Sequence, residues 1–193
     1  VNSRDTLEPF LNPLAALQRL IDRLDGQGLI IGGIAASLLG RPRLTADLDA
    51  MVLVSVQDLS RLLRYARQEG LVPRIENAQE FARRNRVLLL MHQETGIPVD
   101  ISLGALPFEI EAVQRSQIHK VGSLKIRLPT PEDLIIFKAV AHRPQDLLDI
   151  QAIIDNYPNL DRDRIELWVQ SFAEALEIPE LWEDIADWFS RPS

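Results

Sequence analysis

Gly32-Gly33-Ile34-Ala35-Ala36, followed by Arg43-Leu44-Thr45-Ala46-Asp47-Leu48-Asp49 and the apolar run Met51-Val52-Leu53-Val54, is the stretch on which the fold turns. Leu29-Ile30-Ile31 before it is short, apolar and bounded by glycines, which predicts a strand; Ile34 to Leu39, closed by Gly40, predicts a compact helix. Strand, glycine turn and helix form the first unit. Leu48 to Val54 reads as a second strand interrupted by Asp49 and Ala50, and Val56 to Glu69 as the helix after it. In a strand, side chains two apart share a face, so Asp47 and Asp49 project together with Cα atoms roughly 6.8 Å apart.

Upstream, Leu14, Leu17, Leu20, Ile21 and Leu24 keep a helical repeat that stops near Gly26 and Gly28. Downstream, Val87 to Met91 and Val99 to Leu103 are apolar runs separated by a turn containing Gly96 and Pro98, which predicts neighbouring antiparallel strands. A helix from Phe108 to about Ser116 and a hairpin of 118–121 with 124–128 over Gly122-Ser123 complete this part. After Pro129 the pattern becomes helical. Thr130 is placed to cap a helix with Pro131 at its first position and Asp133 at its third. Further helices are expected over 147–154, 165–176 and 181–189, with Pro144, Pro158 and Pro179 at the breaks. The expected fold class is α/β in the α+β sense, a small mixed sheet flanked by helices. Residues 1–128 form the α/β core with its N-terminal helix, and residues 129–193 a helical bundle packed on it.

A chain of 193 residues that is 46% hydrophobic can bury one sizeable core. It has no cysteine, which excludes disulfides, thiolate metal sites and a cysteine nucleophile. No apolar stretch is long enough to cross a bilayer, and the first residues lack the basic flank and apolar run of a signal peptide. A cytoplasmic protein with no membrane partner is expected. The net charge of -7 argues against non-specific coating of nucleic acid, so phosphate contacts would come from local groups such as Arg41 and Arg43, or Arg83, Arg84 and Arg86.

Two aspartates at this spacing can simply meet water on an edge strand. At the start of an apolar strand, however, two like charges call for a cation. Asp100 lies inside a further apolar run, Pro98-Val99-Asp100-Ile101, where it needs either an arginine partner or the same cation. Three hard oxygen donors with places left for phosphate and water suit Mg²⁺ or Mn²⁺. Gly32-Gly33 would let backbone N–H groups at a helix N-terminus approach phosphate, or serve a tight turn with positive φ. His92, His119 and His142 are scattered and receive no role, and Trp168, Trp182 and Trp188 fall on apolar helix faces.

Gly-Gly, a short helix, Arg-x-Thr-x-Asp-x-Asp leading into an apolar strand and a later lone strand Asp together resemble the nucleotidyltransferase superfamily of the polymerase β type. The nearest likeness is to the minimal nucleotidyltransferases and the AbiEii-like proteins of bacterial toxin–antitoxin and phage-defence systems. Lys138, Arg143, Asp146 and Asp149 in Phe137 to Asp149 extend it, so that it spans about residues 29 to 155. The resemblance implies a metal-dependent nucleotidyltransferase that moves a nucleoside monophosphate from ATP or another nucleoside triphosphate to a hydroxyl of RNA, protein or a small molecule. A cognate toxin or antitoxin would be a partner. It makes Asp47 and Asp49 metal ligands and Asp100 the third carboxylate, which helps activate the attacking hydroxyl. Lys138 would contact phosphate, Arg43 would reach it, Thr45 would brace the turn or a ligand hydroxyl, and Asp146 would lie at the nucleotide. Asp146 and Asp149 read equally well as helix acids or partners of Arg143. Many superfamily members carry serine where Gly33 stands. The other reading is a nucleotide- or partner-binding module of the same fold without activity.

Overall fold

The computed structural model describes residues 7–190. Helix α1 (Leu11–Arg23) buries Leu14, Leu17, Leu20 and Ile21 and leads into β1 (Gly28–Ile31), α2 (Gly32–Leu39) and β2 (Leu48–Val52). Then come α3 (Leu59–Gln68), β3 (Leu71–Pro73), α4 (Ala78–Asn85), β4 (Val87–His92) and β5 (Pro98–Leu103). Helix α5 (Pro107–Arg115) precedes the β6 (Gln117–Val121) and β7 (Leu124–Leu128) hairpin. Four helices close the chain: α6 (Pro131–Ala141), α7 (Pro144–Asn156), α8 (Arg162–Leu176) and α9 (Glu180–Ala186).

The main sheet has five strands in the order β1-β2-β5-β4-β3. β2 and β5 run parallel, and the other neighbours are antiparallel. Along β4 and β5 every second residue is buried: Leu88, Leu90 and His92 on one strand, Val99, Ile101 and Leu103 on the other. Their apolar members join one continuous core with the leucines of α1 and α3. The opposite face, with Val87, Leu89 and Met91 beside Pro98, Asp100 and Ser102, stays half-buried. The period of two in the pleat makes this division, and it leaves one face of the sheet free for chemistry.

The helical region shares that core. Phe108 of α5 meets Phe137 of α6, Trp168 of α8 and Phe172 of α8 with ring centroids 4.9, 5.4 and 5.7 Å away. Asn156 at the end of α7 donates to the carbonyls of Leu39 and Gly40, at 3.2 and 2.7 Å, which ties the bundle to the end of α2. Thr130 caps α6 as its position predicts, its hydroxyl accepting from the Asp133 N–H at 3.2 Å.

Several elements depart from the sequence reading. β2 stops at Val52, before Leu53 and Val54. Residues 56–58 form a 3-10 turn ahead of α3, and residues 187–190 another after α9. β3 and α4 are additional. β3 is three residues long and ends on a proline, and α4 buries only Ala78 and Ala82, side chains too small to write an apolar stripe.

Phe108 is the shared contact between α5, α6 and α8, so Phe108→Ala is expected to destabilise the protein by about 3–5 kcal/mol. Urea unfolding followed by circular dichroism measures this, and a loss below about 1 kcal/mol would refute a common core.

Candidate active site

β1 delivers Ile31 opposite Asp49, and β5 delivers Asp100 opposite Asp49 on its other side. Directly paired residues point to one face, so the two carboxylates stand side by side on the half-open face. Asp47 lies one residue before β2, in a bend rather than within the strand. Its carboxylate accepts a hydrogen bond from the Thr45 hydroxyl at 3.1 Å, a contact that braces the loop entering β2.

The glycine pair is required by close approach. Gly32 has φ +63°, and a Cβ placed there would fall 1.9 Å from Asp49 Oδ2. No other residue can occupy this position with the aspartate where it is. A Cβ at Gly33 would lie 2.5 Å from the Thr45 hydroxyl and 3.3 Å from Arg43 Nη2. Helix α2 starts on these glycines with no side-chain cap, leaving its first N–H groups for Asp49 and for whatever anion comes beside it.

Burial, then the charges of Asp47 and Asp100, push the Asp49 carboxyl up to about 6, against the opposing pull of Arg143 and the Gly33 N–H. Asp100 is also raised, by burial first and further by Asp47, while Arg74 draws it down. Arg74 follows β3, and its backbone N–H bonds the Leu89 carbonyl at 3.2 Å, in the row that holds Asp100. Its side chain spans one intervening strand, and its Nη2 lies 2.9 Å from Asp100 Oδ1 and 3.1 Å from Oδ2. Only the second contact has hydrogen-bond geometry, so Oδ1 is buried without a hydrogen bond among the described residues. The arginine partner that the sequence left open for Asp100 is therefore Arg74.

No group of three or more histidine, aspartate or glutamate side chains among the described residues stands ready to hold a metal ion. The charges of Asp47 and Asp100 add to burial in raising the Asp49 carboxyl, yet Asp100 is turned to Arg74. By their chemistry the donors would suit a hard divalent cation: aspartates close enough to feel one another's charge, and a carboxylate oxygen without a hydrogen bond.

Behind the glycine turn lies a second charged group. Lys138 of α6 is 3% exposed, and its Nζ donates to Asp146 at 3.0 Å and to Asp149 at 2.7 Å. Asp149 is also held by Arg43, whose Nε and Nη2 each lie 3.0 Å from a carboxylate oxygen. Asp146 takes Arg143 Nε at 2.6 Å and Nη2 at 3.2 Å. Burial disfavours the Asp146 carboxylate, but Arg143 and Lys138 outweigh it and hold its pKa below the usual range. Lys138 and Asp146, expected at the nucleotide, thus lie inside the protein and bind each other. Arg43, expected to reach phosphate, lies beside Gly33 with its guanidinium held by Asp149. Sequence reasoning missed Arg74, because the strand just before it is too short to recognise, and gave no role to Asp149, although its motif was legible.

The remaining histidines stand apart: His92 is buried against Thr95, and His142 meets Asp184 at 3.1 Å. Among the described residues no helix is long and apolar enough to cross a membrane.

The fold has likenesses among solved structures. The chain is similar to the crystal structure of an antigenic nucleotidyltransferase-like protein from Paracoccidioides brasiliensis, with TM-score 0.53 and 16% identity over 96% of this chain and 93% of that one. It is also similar to the solution structure of the antibiotic-resistance factor ANT(2'')-Ia, with TM-score 0.55 and 16% identity over 93% and 97% of the two chains. No protein-family model matches the sequence, and no curated protein matches it. The fold is that of the nucleotidyltransferase-like proteins, with the mixed sheet and flanking helices expected from the sequence.

Asp49 keeps its proton to higher pH in the folded than in the unfolded chain. In metal-free buffer its contribution to stability therefore falls as pH rises from about 3.8 to about 6 and stays lost above that. Asp49→Asn carries no such penalty, so its melting temperature is expected to gain on the wild type across that window. A difference between the two that does not vary from pH 4 to 8 would contradict the crowded-carboxylate site.

Proposed function

We propose that this protein is a metal-dependent nucleotidyltransferase that moves a nucleoside monophosphate from a nucleoside triphosphate to a hydroxyl acceptor, releasing pyrophosphate. One observation carries this reading: Asp49 lies against an uncapped glycine turn with Asp47 and Asp100 beside it. An anion site and a cation site adjoin there, as a metal–triphosphate complex requires.

In this reading the Gly32-Gly33 turn and the α2 N-terminus receive phosphate oxygens through backbone N–H groups. Asp47, Asp49 and Asp100 would hold Mg²⁺ or Mn²⁺, with Thr45 fixing the Asp47 carboxylate. When bound, the metal supplies charge neutralisation for the reacting phosphate and the departing pyrophosphate. Asp100 accepts the proton of the acceptor hydroxyl, a role served by its raised proton affinity. The acceptor oxygen forms the new bond to the α-phosphorus as the bond to the pyrophosphate oxygen breaks.

The AbiEii-like spacing of Lys138, Arg143, Asp146 and Asp149 supports a place in a toxin–antitoxin or phage-defence pair, with RNA or a protein as acceptor. The likeness in fold to an antibiotic-resistance factor supports a small-molecule acceptor. Use of nucleoside triphosphates and the lack of cysteine favour the cytoplasm. The pairing of Arg74 with Asp100 favours a second reading, in which the fold binds nucleotide or a partner without turnover.

Thermal shift separates these readings. With Mg²⁺ and a nucleoside triphosphate about 100-fold above its Kd, the wild type is expected to melt about 5–10 °C higher. The gain should need both components and vanish in Asp49→Asn. Label transferred from a nucleoside triphosphate to a component of cell extract then establishes turnover; binding without any transfer supports the second reading, and no response to any nucleotide rejects both nucleotide-binding readings.

A further inference from the structure

The charges behind the glycine turn form one chain: Arg43, Asp149, Lys138, Asp146, Arg143. Its middle is sealed, with side chains of Lys138, Asp146 and Asp149 only 4, 2 and 6% exposed. Its ends emerge, with Arg43 27% and Arg143 72% exposed. Arg43 bonds Asp149 through two parallel N–H donors, the geometry that fixes a guanidinium plane. Beside Lys138, Gln145 also donates to Asp149, at 3.1 Å. Arg43 also lies against Gly33, and the field of Arg143 reaches Asp47 and Asp49.

A lysine that grips phosphate needs an ammonium free to face the cleft. Lys138 has both aspartates within hydrogen-bond distance and almost no exposure, and leaving them would strand two buried carboxylates. Its ammonium instead bridges the two carboxylates that hold the two arginines.

We propose that Lys138 is a positioning residue that touches no substrate and, through Asp149 and Asp146, fixes Arg43 and Arg143 as a two-pronged clamp for the nucleotide's phosphates. The clamp rests on the nucleotide reading above. It moves Lys138 from direct phosphate contact to the support of two guanidiniums and gives the helical region a part in substrate binding.

The test uses titration calorimetry of the full chain with Mg²⁺ and four non-hydrolysable nucleoside triphosphate analogues, taking the one that the wild type binds most tightly. Asp149→Asn removes a negative charge near the phosphates, so charge alone would tighten binding of a polyanion. The clamp requires the opposite, a loss of about 10- to 100-fold from the release of Arg43, with the melting curve showing a folded protein. Arg43→Lys keeps its charge, cannot reproduce the paired bonds and is expected to weaken binding as well. Lys138→Met should cost affinity in the wild type but add nothing to an Arg43→Ala, Arg143→Ala background. Unchanged or tighter binding by Asp149→Asn, wild-type affinity in Arg43→Lys, or a further loss from Lys138→Met in that background would overturn the clamp while leaving the nucleotide reading intact. A wild type that binds no analogue would overturn both. Should Asp149→Asn or Lys138→Met not fold, Arg43→Lys decides on its own, since its half-exposed side chain leaves the buried carboxylates their lysine.

Discussion

The contact between the Asp49 carboxylate and the Gly32 backbone governs this structure. β1 and β2 must run antiparallel in one register to put Ile31 opposite Asp49, and the chain must then turn through a positive φ to avoid the carboxylate it has just passed. A methyl group at that point is excluded, so the turn can be made only by glycine. From it follow the start of α2, the uncapped N–H groups and the placement of a half-buried acid under the positive end of a helix. Folding holds that acid in a setting that burial and two neighbouring acids make unfavourable.

Much of this was legible because the residues involved have few alternatives. The Gly-Gly step, the aspartates two apart and the apolar residues after them allow a strand–turn–helix and little else. Asp100 in an apolar strand could be recognised as belonging to the same site because an ionised side chain there needs a partner. What sequence could not supply was the identity of that partner. Arg74 follows a three-residue strand with no periodicity to reveal it, and it meets Asp100 only because β3 and β5 flank β4. The burial of Lys138, Asp146 and Asp149 was hidden for a similar reason. Polar residues on a helix read as solvent-facing, and mutual neutralisation between α6 and α7 is invisible to a one-dimensional pattern.

The two parts of the chain are accordingly joined by two kinds of contact. Phe108 of α5 and the aromatic residues of α6 and α8 hold the bundle to the rest of the core through apolar area, which is indifferent to small rotations. The chain of charges running from Arg43 to Arg143 fixes direction, since paired guanidinium–carboxylate bonds tolerate little misalignment. Apolar packing joins the helices to the common core, and the ion network ties Arg43, beside the glycine turn, to α7.

The parallel pairing of β2 with β5 has a consequence for how the protein comes into being. Asp49 and Asp100 are partners across that pairing, while every segment from α3 to β4 lies between them in the chain. Their meeting is a non-local closure, the kind of step that slows folding, and a slip of one residue would send Asp100 to the opposite face of the sheet. A nascent polypeptide that has emerged only as far as β4 therefore already possesses the glycine hinge and two of the three acids, but no assembled centre. The three acids come together only with the docking of a single strand.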